Sequence, residues 1–358
     1  MRTFPSLALL TLALLSAGCP GDDAPINEVT TGPGSTGDST SLGSSSTSEG
    51  DDPVSDTNTT TATSTSDGPA DTTDGETGEP IVLDGACELA DRVGRFNLLR
   101  EDIYTTFNGA VADGVVPVSV LENVGDEGGC RLLRRNNPFC DPPCAPSETC
   151  DFDGSCIPYP LNHDVGVVTV DGLLQPVMVE PIVPTYEYFD TDLEHPAWDP
   201  AAAVELQAAG GDYEAFTLHG NGVEMIEPAG DAVVLDPDQD LTVEWVQGDG
   251  PGTVRVELNI DQHGLTPVEL WCESEDTGSL VVPQAFIAEF VQFGVTGYPS
   301  VSYYRETVDS VQIAPGCVEF GVRSHRDGNL TVVGHTPCNV PQDCPDGLTC
   351  NVAIQTCE

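Results

Sequence analysis

Aromatic and acidic side chains are interleaved in residues 185–199, a combination suited to binding or hydrolysing carbohydrate. Aromatic rings stack on the CH faces of sugars, whereas carboxylates accept hydrogen bonds from hydroxyl groups and ligate calcium. The sequence therefore predicts a ligand site in this stretch, with calcium as an optional cofactor. The candidate ligand-binding residues are Tyr186, Tyr188, Asp190, Asp192, Glu194 and Trp198. Alternatively, the stretch is a connecting loop whose Tyr and Trp side chains cap a sheet.

Motifs of the common enzyme classes do not occur in the sequence. It contains no GxSxG, HExxH, phosphate-binding loop or dinucleotide-binding fingerprint, so no catalytic residue is predicted. An acidic dyad drawn from Asp190, Asp192 and Glu194 is the alternative that would make the protein a secreted hydrolase. Three aspartates at 236, 238 and 240 have the spacing of a calcium loop, but Leu241 and Gln247 stand where that loop needs Gly and Glu. They indicate a turn before a strand, and no metal site is predicted.

The chain has 13 cysteines, and CxxC does not occur, which argues against zinc and thioredoxin-like sites. Setting Cys19 aside leaves an even number, which predicts a disulfide framework in an oxidising compartment. The predicted disulfide cysteines are Cys87, Cys130, Cys140, Cys144, Cys150, Cys156, Cys272, Cys317, Cys338, Cys344, Cys350 and Cys357.

Two groups of four cysteines, in residues 140–157 and 336–358, have similar spacings and form an internal repeat. Each unit is too small for a hydrophobic core and depends on two disulfides. Of the three possible pairings, first to third and second to fourth is expected. Elimination then pairs Cys87 with Cys130, and Cys272 is expected to bridge to Cys317 at the edge of a sandwich.

The net charge is −48, and all 11 basic residues are arginines. Such a chain repels phosphate backbones and anionic head groups, so nucleic-acid binding is excluded and membrane association must come from a lipid. Residues 129–135 hold the one local basic cluster of the sequence. It either grips an acidic sugar or lipid phosphate, or pairs with nearby carboxylates.

An apolar run at residues 7–15 is too short to span a bilayer, which takes about 20 residues, and suits a signal-peptide core. The small residues 16–18 and Cys19 that follow resemble a bacterial lipobox. That resemblance implies cleavage before Cys19 and its acylation, so that the lipid holds the mature protein in a bilayer. The expected location is the outer membrane or the cell surface, although Pro20 does not decide between the inner and the outer membrane. Residues 19–80 are rich in Ser, Thr, Gly and Asp, and this composition predicts a disordered tether.

The remaining sequence predicts mainly β structure. Alternating apolar residues indicate strands at 95–100, 103–108, 165–170, 176–180, 241–245 and 254–260, and Asn221-Gly222 indicates a hairpin turn between 212–219 and 223–226. In the strand 254–260, Arg255 and Glu257 are assigned to the solvent face. Apolar residues at helical spacing predict one helix after Pro283, ending at Gly294.

The predicted fold is an antiparallel β-sandwich of immunoglobulin-like type with disulfide-stapled microdomains. The predicted segments are a signal peptide (1–18), the tether (19–80), a small β segment (81–139), a Cys-rich microdomain (140–157), a β-rich segment (158–230), the sandwich (231–335) and a second microdomain (336–358).

Two family resemblances support this organisation. The lipobox, Ser/Thr/Asp linker, paired cysteine units and β region together resemble the uncharacterised, cysteine-rich surface lipoproteins of myxobacteria. Residues 241–245, 254–260 and 276–283 are similar to the immunoglobulin-like repeat of Ser/Thr-rich fungal cell-wall proteins, in which a Trp-bearing strand precedes an Asp-Thr-Gly turn. The second resemblance implies a sandwich fold and assigns no residue a role.

These observations predict a lipid-anchored, extracytoplasmic surface protein that binds glycans or envelope components without catalysis, with or without calcium. The alternatives are a structural envelope protein without a ligand and the secreted hydrolase described above.

Overall fold

A computed structural model of the chain describes residues 82–135, 139–230, 232–261 and 268–358. The signal peptide, Cys19 and the tether lie outside the described residues. Within them the protein is mainly β, as predicted, and no helix is long and apolar enough to cross a membrane.

Twenty strands and one α-helix form the described part of the chain. The strands are β1 (Arg92–Arg100), β2 (Thr105–Val111), β3 (Leu121–Glu127), β4 (Cys130–Arg135), β5 (Glu148–Cys150), β6 (Cys156–Pro158), β7 (Val168–Asp171), β8 (Val177–Val179), β9 (Tyr188–Asp190), β10 (Ala203–Ala208), β11 (Phe216–Asn221), β12 (Ala232–Leu235), β13 (Leu241–Glu244), β14 (Thr253–Asn259), β15 (Val268–Glu275), β16 (Ser279–Val282), β17 (Ser300–Ile313), β18 (Gly316–Val332), β19 (Cys350–Asn351) and β20 (Thr356–Cys357). Helix α1 spans Gln284–Gln292.

Ten strands form one large sheet in the order β3-β4-β15-β14-β17-β18-β1-β2-β9, with β12 also paired to β18. The pairs β1–β18 and β12–β18 are parallel, and the other pairs of this sheet are antiparallel. A second sheet has the order β11-β10-β7-β8. The predicted segments 81–139, 158–230 and 231–335 all contribute strands to the large sheet, so this sheet is not confined to one of them.

Two hydrophobic cores lie against the large sheet. The first includes Phe96 and Phe107 of the large sheet and Leu206 of the second sheet, which makes this half a β-sandwich. The second joins β4, β14 and β15 to β12, β13, β16 and α1. The long hairpin β17–β18 takes part in both, because Phe320 belongs to the first core and Leu330 to the second. The hairpin therefore ties the two cores into one body.

Helix α1 confirms the prediction made from apolar spacing. Its residues Phe286, Ile287 and Phe290 are buried in the second core, so the stripe packs on the sheet. The Asp240 carboxylate accepts a hydrogen bond from the backbone N–H of Gln284 at 2.8 Å. This contact satisfies one of the free N–H groups at the start of the helix.

All twelve predicted cysteines form disulfides. The microdomain pairing is confirmed: the bridges are Cys140–Cys150, Cys144–Cys156, Cys338–Cys350 and Cys344–Cys357. Six disulfides are typical of an oxidising compartment, so the protein is extracytoplasmic.

The predicted pairing of the other four cysteines is wrong. Cys87 bridges to Cys317 and Cys130 to Cys272. Cys130 and Cys272 are direct partners in the β4–β15 register, with their Cα atoms 3.9 Å apart. Cys317 is buried rather than exposed at an edge. Both disulfides therefore join segments that are distant in sequence but become neighbours in the large sheet.

The predicted hairpin at Asn221-Gly222 is also wrong. Strand β11 ends at Asn221, but its partner is β10 rather than residues 223–226. A Cβ atom on Gly222 would lie 2.3 Å from the Asp199 carbonyl oxygen and 2.6 Å from Cδ1 of Trp198. Close approach of another segment, not a tight turn, explains the glycine.

Candidate functional site

The large sheet has a polar face opposite the two cores, which we call the outer face. Alternate residues of a strand point to opposite sides, so the neighbours of core residues Phe96, Phe320 and Val256 lie on this face. They include Arg95 on β1 and Arg255 on β14. The outer face therefore combines side chains from strands far apart in sequence.

Oppositely charged residues alternate across the centre of the outer face. Arg95 pairs with Glu319, whose carboxylate lies 3.0 Å from Nη2 of Arg323. Arg323 reaches Glu306 at 2.5 Å, and Nε of Arg255 lies 3.2 Å from the same carboxylate. A Cβ at position 321 would lie 2.4 Å from Cζ of Arg323. Gly321 therefore lets the Arg323 guanidinium lie across the strand towards β1.

A cavity of about 280 Å³, the arginine pocket, opens over this row of charges. Residues 86–89 form part of its lining. The Cys87–Cys317 disulfide fixes this segment, and the Asp84 N–H donates to Asp309 on β17 at 2.9 Å. The charged residues lining the pocket are Glu88, Arg92, Arg95, Arg131, Arg255, Glu273, Glu306, Glu319 and Arg323.

A larger cavity of about 590 Å³, the outer groove, lies over β1, β2 and β9. Arg92 and Arg95 line both cavities, so the two are adjacent. Asn97 and Asn108 are cross-strand partners on its floor, and the Asn97 amide donates to the Asn108 side-chain oxygen at 3.1 Å. Phe189, with 54% of its surface exposed, lines it too. The groove thus combines amides, guanidinium groups and an aromatic ring.

The two predicted stacking rings Tyr188 and Trp198 are part of the first core. They are 1% and 0% exposed. The Tyr188 hydroxyl donates to the Gly166 carbonyl and accepts from the Val165 N–H, both at 3.0 Å, and burial raises its pKa to about 12. The Trp198 indole N–H donates to the Val223 carbonyl at 2.9 Å. The alternative interpretation, that these side chains cap the sheet, therefore describes both rings, and neither can stack on a sugar.

The other four predicted ligand residues are not brought together by a shared contact. Tyr186 is half-buried, and its N–H closes a turn with the Ile182 carbonyl. Asp190 accepts the Asp192 N–H at 2.8 Å, so its carboxylate shapes the chain locally. Asp192 and Glu194 are exposed. The segment nevertheless borders the outer groove, because Glu187, Tyr188 and Phe189 all contribute atoms to the lining of that cavity.

No acidic metal cluster occurs in residues 82–135, 139–230, 232–261 and 268–358. The groups of three ligand atoms within 4.8 Å are two sets of cysteines, Cys140–Cys144–Cys156 and Cys338–Cys344–Cys357, whose sulfurs form disulfides. Asp236 accepts the Asp238 N–H at 3.0 Å in the turn before β13. This bond confirms the turn that the sequence indicated.

The basic cluster at 129–135 pairs with carboxylates, as one of its two interpretations predicted. Arg131 reaches Glu273 at 2.6 Å, and Arg134 reaches Glu122 at 2.8 Å. Of the two, Arg131 also lines the arginine pocket. The cluster is therefore divided between the two faces of β4.

Most residues that line the arginine pocket and the outer groove were not among the predicted site residues. Arg255 was assigned to the solvent face of its strand, but it is 6% exposed because its guanidinium is enclosed by the Trp271 and Tyr304 rings, with centroids at 4.9 and 4.6 Å. One signal was available: arginines at the polar positions of strongly apolar strands. Phe189 also had a signal, since it follows buried Tyr188 in a strand and must point the other way.

Comparison with known proteins adds no identity. No family model matches the chain, and no curated protein matches it. The chain is similar to a structure of a 1.5-MDa bacterial ice-binding adhesin, with 12% identity over 70% of this chain and 68% of that chain and a TM-score of 0.15. It is also similar to the FN1–FN3 domains of chicken CNTN1, with 8% identity over 62% and 68% of the two chains and a TM-score of 0.17.

Proposed function

We propose that this protein is a surface-displayed binding protein, anchored by lipid at Cys19, that holds a glycan of the cell envelope in its outer groove. The observation that carries the proposal is the groove itself, a cavity of about 590 Å³ on the polar face of a ten-stranded sheet. Its volume lies within the usual range for ligand sites, about 300 to 1,000 Å³. The role is binding, and no step of catalysis is part of it.

The lining suits a sugar chain better than an apolar ligand. Amide groups of Asn97 and Asn108 and the guanidinium of Arg95 offer hydrogen bonds to hydroxyl groups. The exposed ring of Phe189 offers an apolar surface for the CH face of a sugar ring. All four of these side chains are carried by strands β1, β2 and β9 rather than by loops, so the groove is rigid before the ligand arrives.

The lipid anchor is supported by the sequence of residues 7–19 and by the extracytoplasmic location that six disulfides indicate. Two acyl chains hold a protein in a bilayer far better than one, at about 0.8 kcal/mol per buried methylene. We expect metabolic labelling with an alkyne fatty acid to mark the full chain, and Cys19→Ser to abolish the label. A label that survives Cys19→Ser would contradict the anchor.

Glycan binding is tested with the full chain carrying Cys19→Ser, exported to an oxidising periplasm. Cell-wall and exopolysaccharide oligosaccharides are screened against it, and hits are titrated by calorimetry. Phe189→Ala should weaken binding about 2- to 10-fold, the usual worth of one aromatic contact. The matched control is Phe152→Ala, because Phe152 is also 54% exposed but lies in the first microdomain, outside the groove.

Two results would contradict the proposal: no saturable binding by correctly disulfide-bonded protein, or equal loss of affinity in both phenylalanine variants. Calcium is tested in the same titrations with and without chelator. We expect no effect of chelator, because the polar lining of the groove consists largely of arginine and asparagine side chains.

A further inference from the structure

Positive charge is concentrated at one place in a strongly acidic protein. The net charge is −48 and the chain has 11 arginines, yet five of them line the arginine pocket. The remaining arginines of the described residues lie elsewhere. Arg305 shows what a purely structural arginine looks like here. It is 3% exposed, bonds Asp276 through Nε, and donates to the Met225 and Val246 carbonyls.

The arginines of the pocket share their carboxylate partners, which brings several guanidinium groups close together. Glu319 is shared by three arginines, with N···O distances of 3.6 Å to Arg92, 2.8 Å to Arg95 and 3.0 Å to Arg323. Glu306 is shared by Arg323 and Arg255. Five arginines and four glutamates line the pocket, and Glu257, which lies outside the lining, is 2.9 Å from Arg255.

Buried polar atoms in the same network are left without hydrogen bonds. Nε of Arg255 and Oε2 of Glu319 are inaccessible to solvent and make no hydrogen bond among the described residues. Buried polar atoms are rarely left in this state. Of the two, only the Arg255 N–H is a donor that can bond to an oxyanion, because the Glu319 oxygen is itself an acceptor.

Electrostatic repulsion is already present among the arginines. Burial, and next the charge of Arg323, lower the pKa of Arg95 to about 10. Burial is also the main cause that lowers the pKa of Arg92. A bound anion would offset both effects, since an opposite charge favours the protonated form.

Three of the pocket arginines reach solvent. The exposed fractions of the side chains are 19% for Arg92, 32% for Arg95 and 34% for Arg131. Arg92 and Arg95 also line the outer groove, so a group bound between these arginines could belong to a ligand that lies in the groove.

We infer that the arginine pocket binds the carboxylate or sulfate group of an acidic glycan through Arg92, Arg95 and Arg131. This inference rests on the proposed function for the remainder of the glycan, which occupies the outer groove. Guanidinium groups suit the task because their planar N–H donors match the geometry of oxyanions.

The test uses the full chain with Cys19→Ser and three probes: trigalacturonate, its methyl ester and inorganic sulfate. The ester keeps the sugar rings and removes the charges. We expect trigalacturonate to bind at least about 10-fold more tightly than the ester, because charge-assisted hydrogen bonds are stronger than neutral ones. Sulfate should compete with trigalacturonate but not with the ester.

Arginine variants locate the anion. Arg131→Gln should weaken trigalacturonate binding about 3-fold or more and leave the ester unaffected. The matched control is Arg134→Gln: Arg134 is on the same strand and has a similar ion pair, but it does not line the pocket. Arg95→Gln should have a larger effect, about 10-fold, with near-UV circular dichroism used to verify its fold.

Equal affinity for trigalacturonate and its ester, together with no effect of Arg131→Gln, would overturn the inference and leave the proposed glycan site standing. Equal losses in Arg131→Gln and Arg134→Gln would also overturn it, as would the absence of binding by both anions. Sulfate binding that depends on Arg131, without binding of either sugar, would support the anion site and refute the glycan function.

Discussion

Replacing Asp276 with alanine should destabilise the fold more than any replacement of an exposed carboxylate. The Asp276 carboxylate accepts hydrogen bonds from the Trp245 indole at 2.7 Å, the Gly248 N–H at 3.0 Å and Nε of Arg305 at 2.8 Å. The side chains of Asp276 and Arg305 are 7% and 4% exposed. Asp276→Ala therefore leaves a buried guanidinium without its counter-charge.

Breaking a buried ion pair by removing one partner costs about 3 to 5 kcal/mol. Arg305 keeps its carbonyl acceptors, so we expect the lower end, about 3 kcal/mol of unfolding free energy. Asp276→Asn keeps an acceptor for the Trp245 indole but loses the charge, and should cost about 2 kcal/mol. The control is Asp327→Ala. The Asp327 side chain is 73% exposed and pairs with His325, so its loss should cost less than about 1 kcal/mol.

The assay is urea unfolding followed by tryptophan fluorescence and far-UV circular dichroism, since guanidinium chloride would screen the ion pair. With a slope of about 2 to 3 kcal/mol/M, Asp276→Ala should lower the midpoint by about 1 to 1.5 M. Coincident transitions by the two probes are needed before midpoints are compared as free energies. Equal shifts for Asp276→Ala and Asp327→Ala would refute the reasoning.

Three further predictions concern acid, base and packing. The pKa of Glu319 is lowered because its arginine neighbours outweigh the effect of burial. The stabilisation by Glu319 is therefore present above about pH 4.5 and is lost as the pH falls. In Glu319→Gln the urea midpoint should depend less on pH between about pH 5 and 3 than it does in the wild type. The pKa of His163 is raised by its hydrogen bond to Asp212. The stabilisation by this pair is therefore full below about pH 6.5 and is lost as the pH rises, which lowers the thermal midpoint of the wild type. In His163→Asn the thermal midpoint should not fall in this way with rising pH. Gly222→Ala should cost about 1 to 3 kcal/mol, measured in urea, because its Cβ would meet the Asp199 carbonyl.

Each of these has its own contradicting result. A urea midpoint that falls with decreasing pH in Glu319→Gln as steeply as in the wild type would show that other carboxylates dominate acid unfolding. A thermal midpoint that falls between pH 6 and 8 in His163→Asn as much as it does in the wild type would mean that the imidazole pair adds nothing to stability. Native stability of Gly222→Ala would show that the neighbouring backbone moves aside at little cost.

Local sequence signals predicted local structure well. The alternation in 254–260 corresponds to β14, and the apolar spacing after Pro283 corresponds to α1, because both patterns are read within one element. The microdomain disulfides were also predictable, since each pair closes a short stretch of chain with sequence separations of 10 to 13.

Long-range pairing was not predictable in the same way. The two disulfides whose pairing was predicted wrongly join residues 230 and 142 positions apart, and they depend on which strands become neighbours. The parallel pairing of β1 with β18 brings the segment with Cys87 beside Cys317. Composition and periodicity contain no information about that choice of neighbour.

The candidate site was not predicted from the sequence because it, too, depends on which strands become neighbours. Arg95, Arg255 and Arg323 lie on three different strands, and only the sheet order makes them neighbours. The chosen segment 185–199 did lie close to the outer groove, but its most conspicuous aromatic residues are core residues. In a mainly β protein a large aromatic residue is buried by default when alternation places it towards the core, as for Tyr188.

The Cys87–Cys317 disulfide has a mechanical consequence for a protein held at its N-terminal side. A pull on the chain at residue 82 reaches Cys87 first and passes through the covalent bridge into β18, at the centre of the large sheet. The hydrogen bonds between β1 and β18 then carry none of that load. If the bridge is reduced, the same pull acts on β1 directly and peels away the strand that supports both cavities. If the proposed lipid anchor holds the protein, the disulfide would therefore keep tension in that anchor away from the outer face.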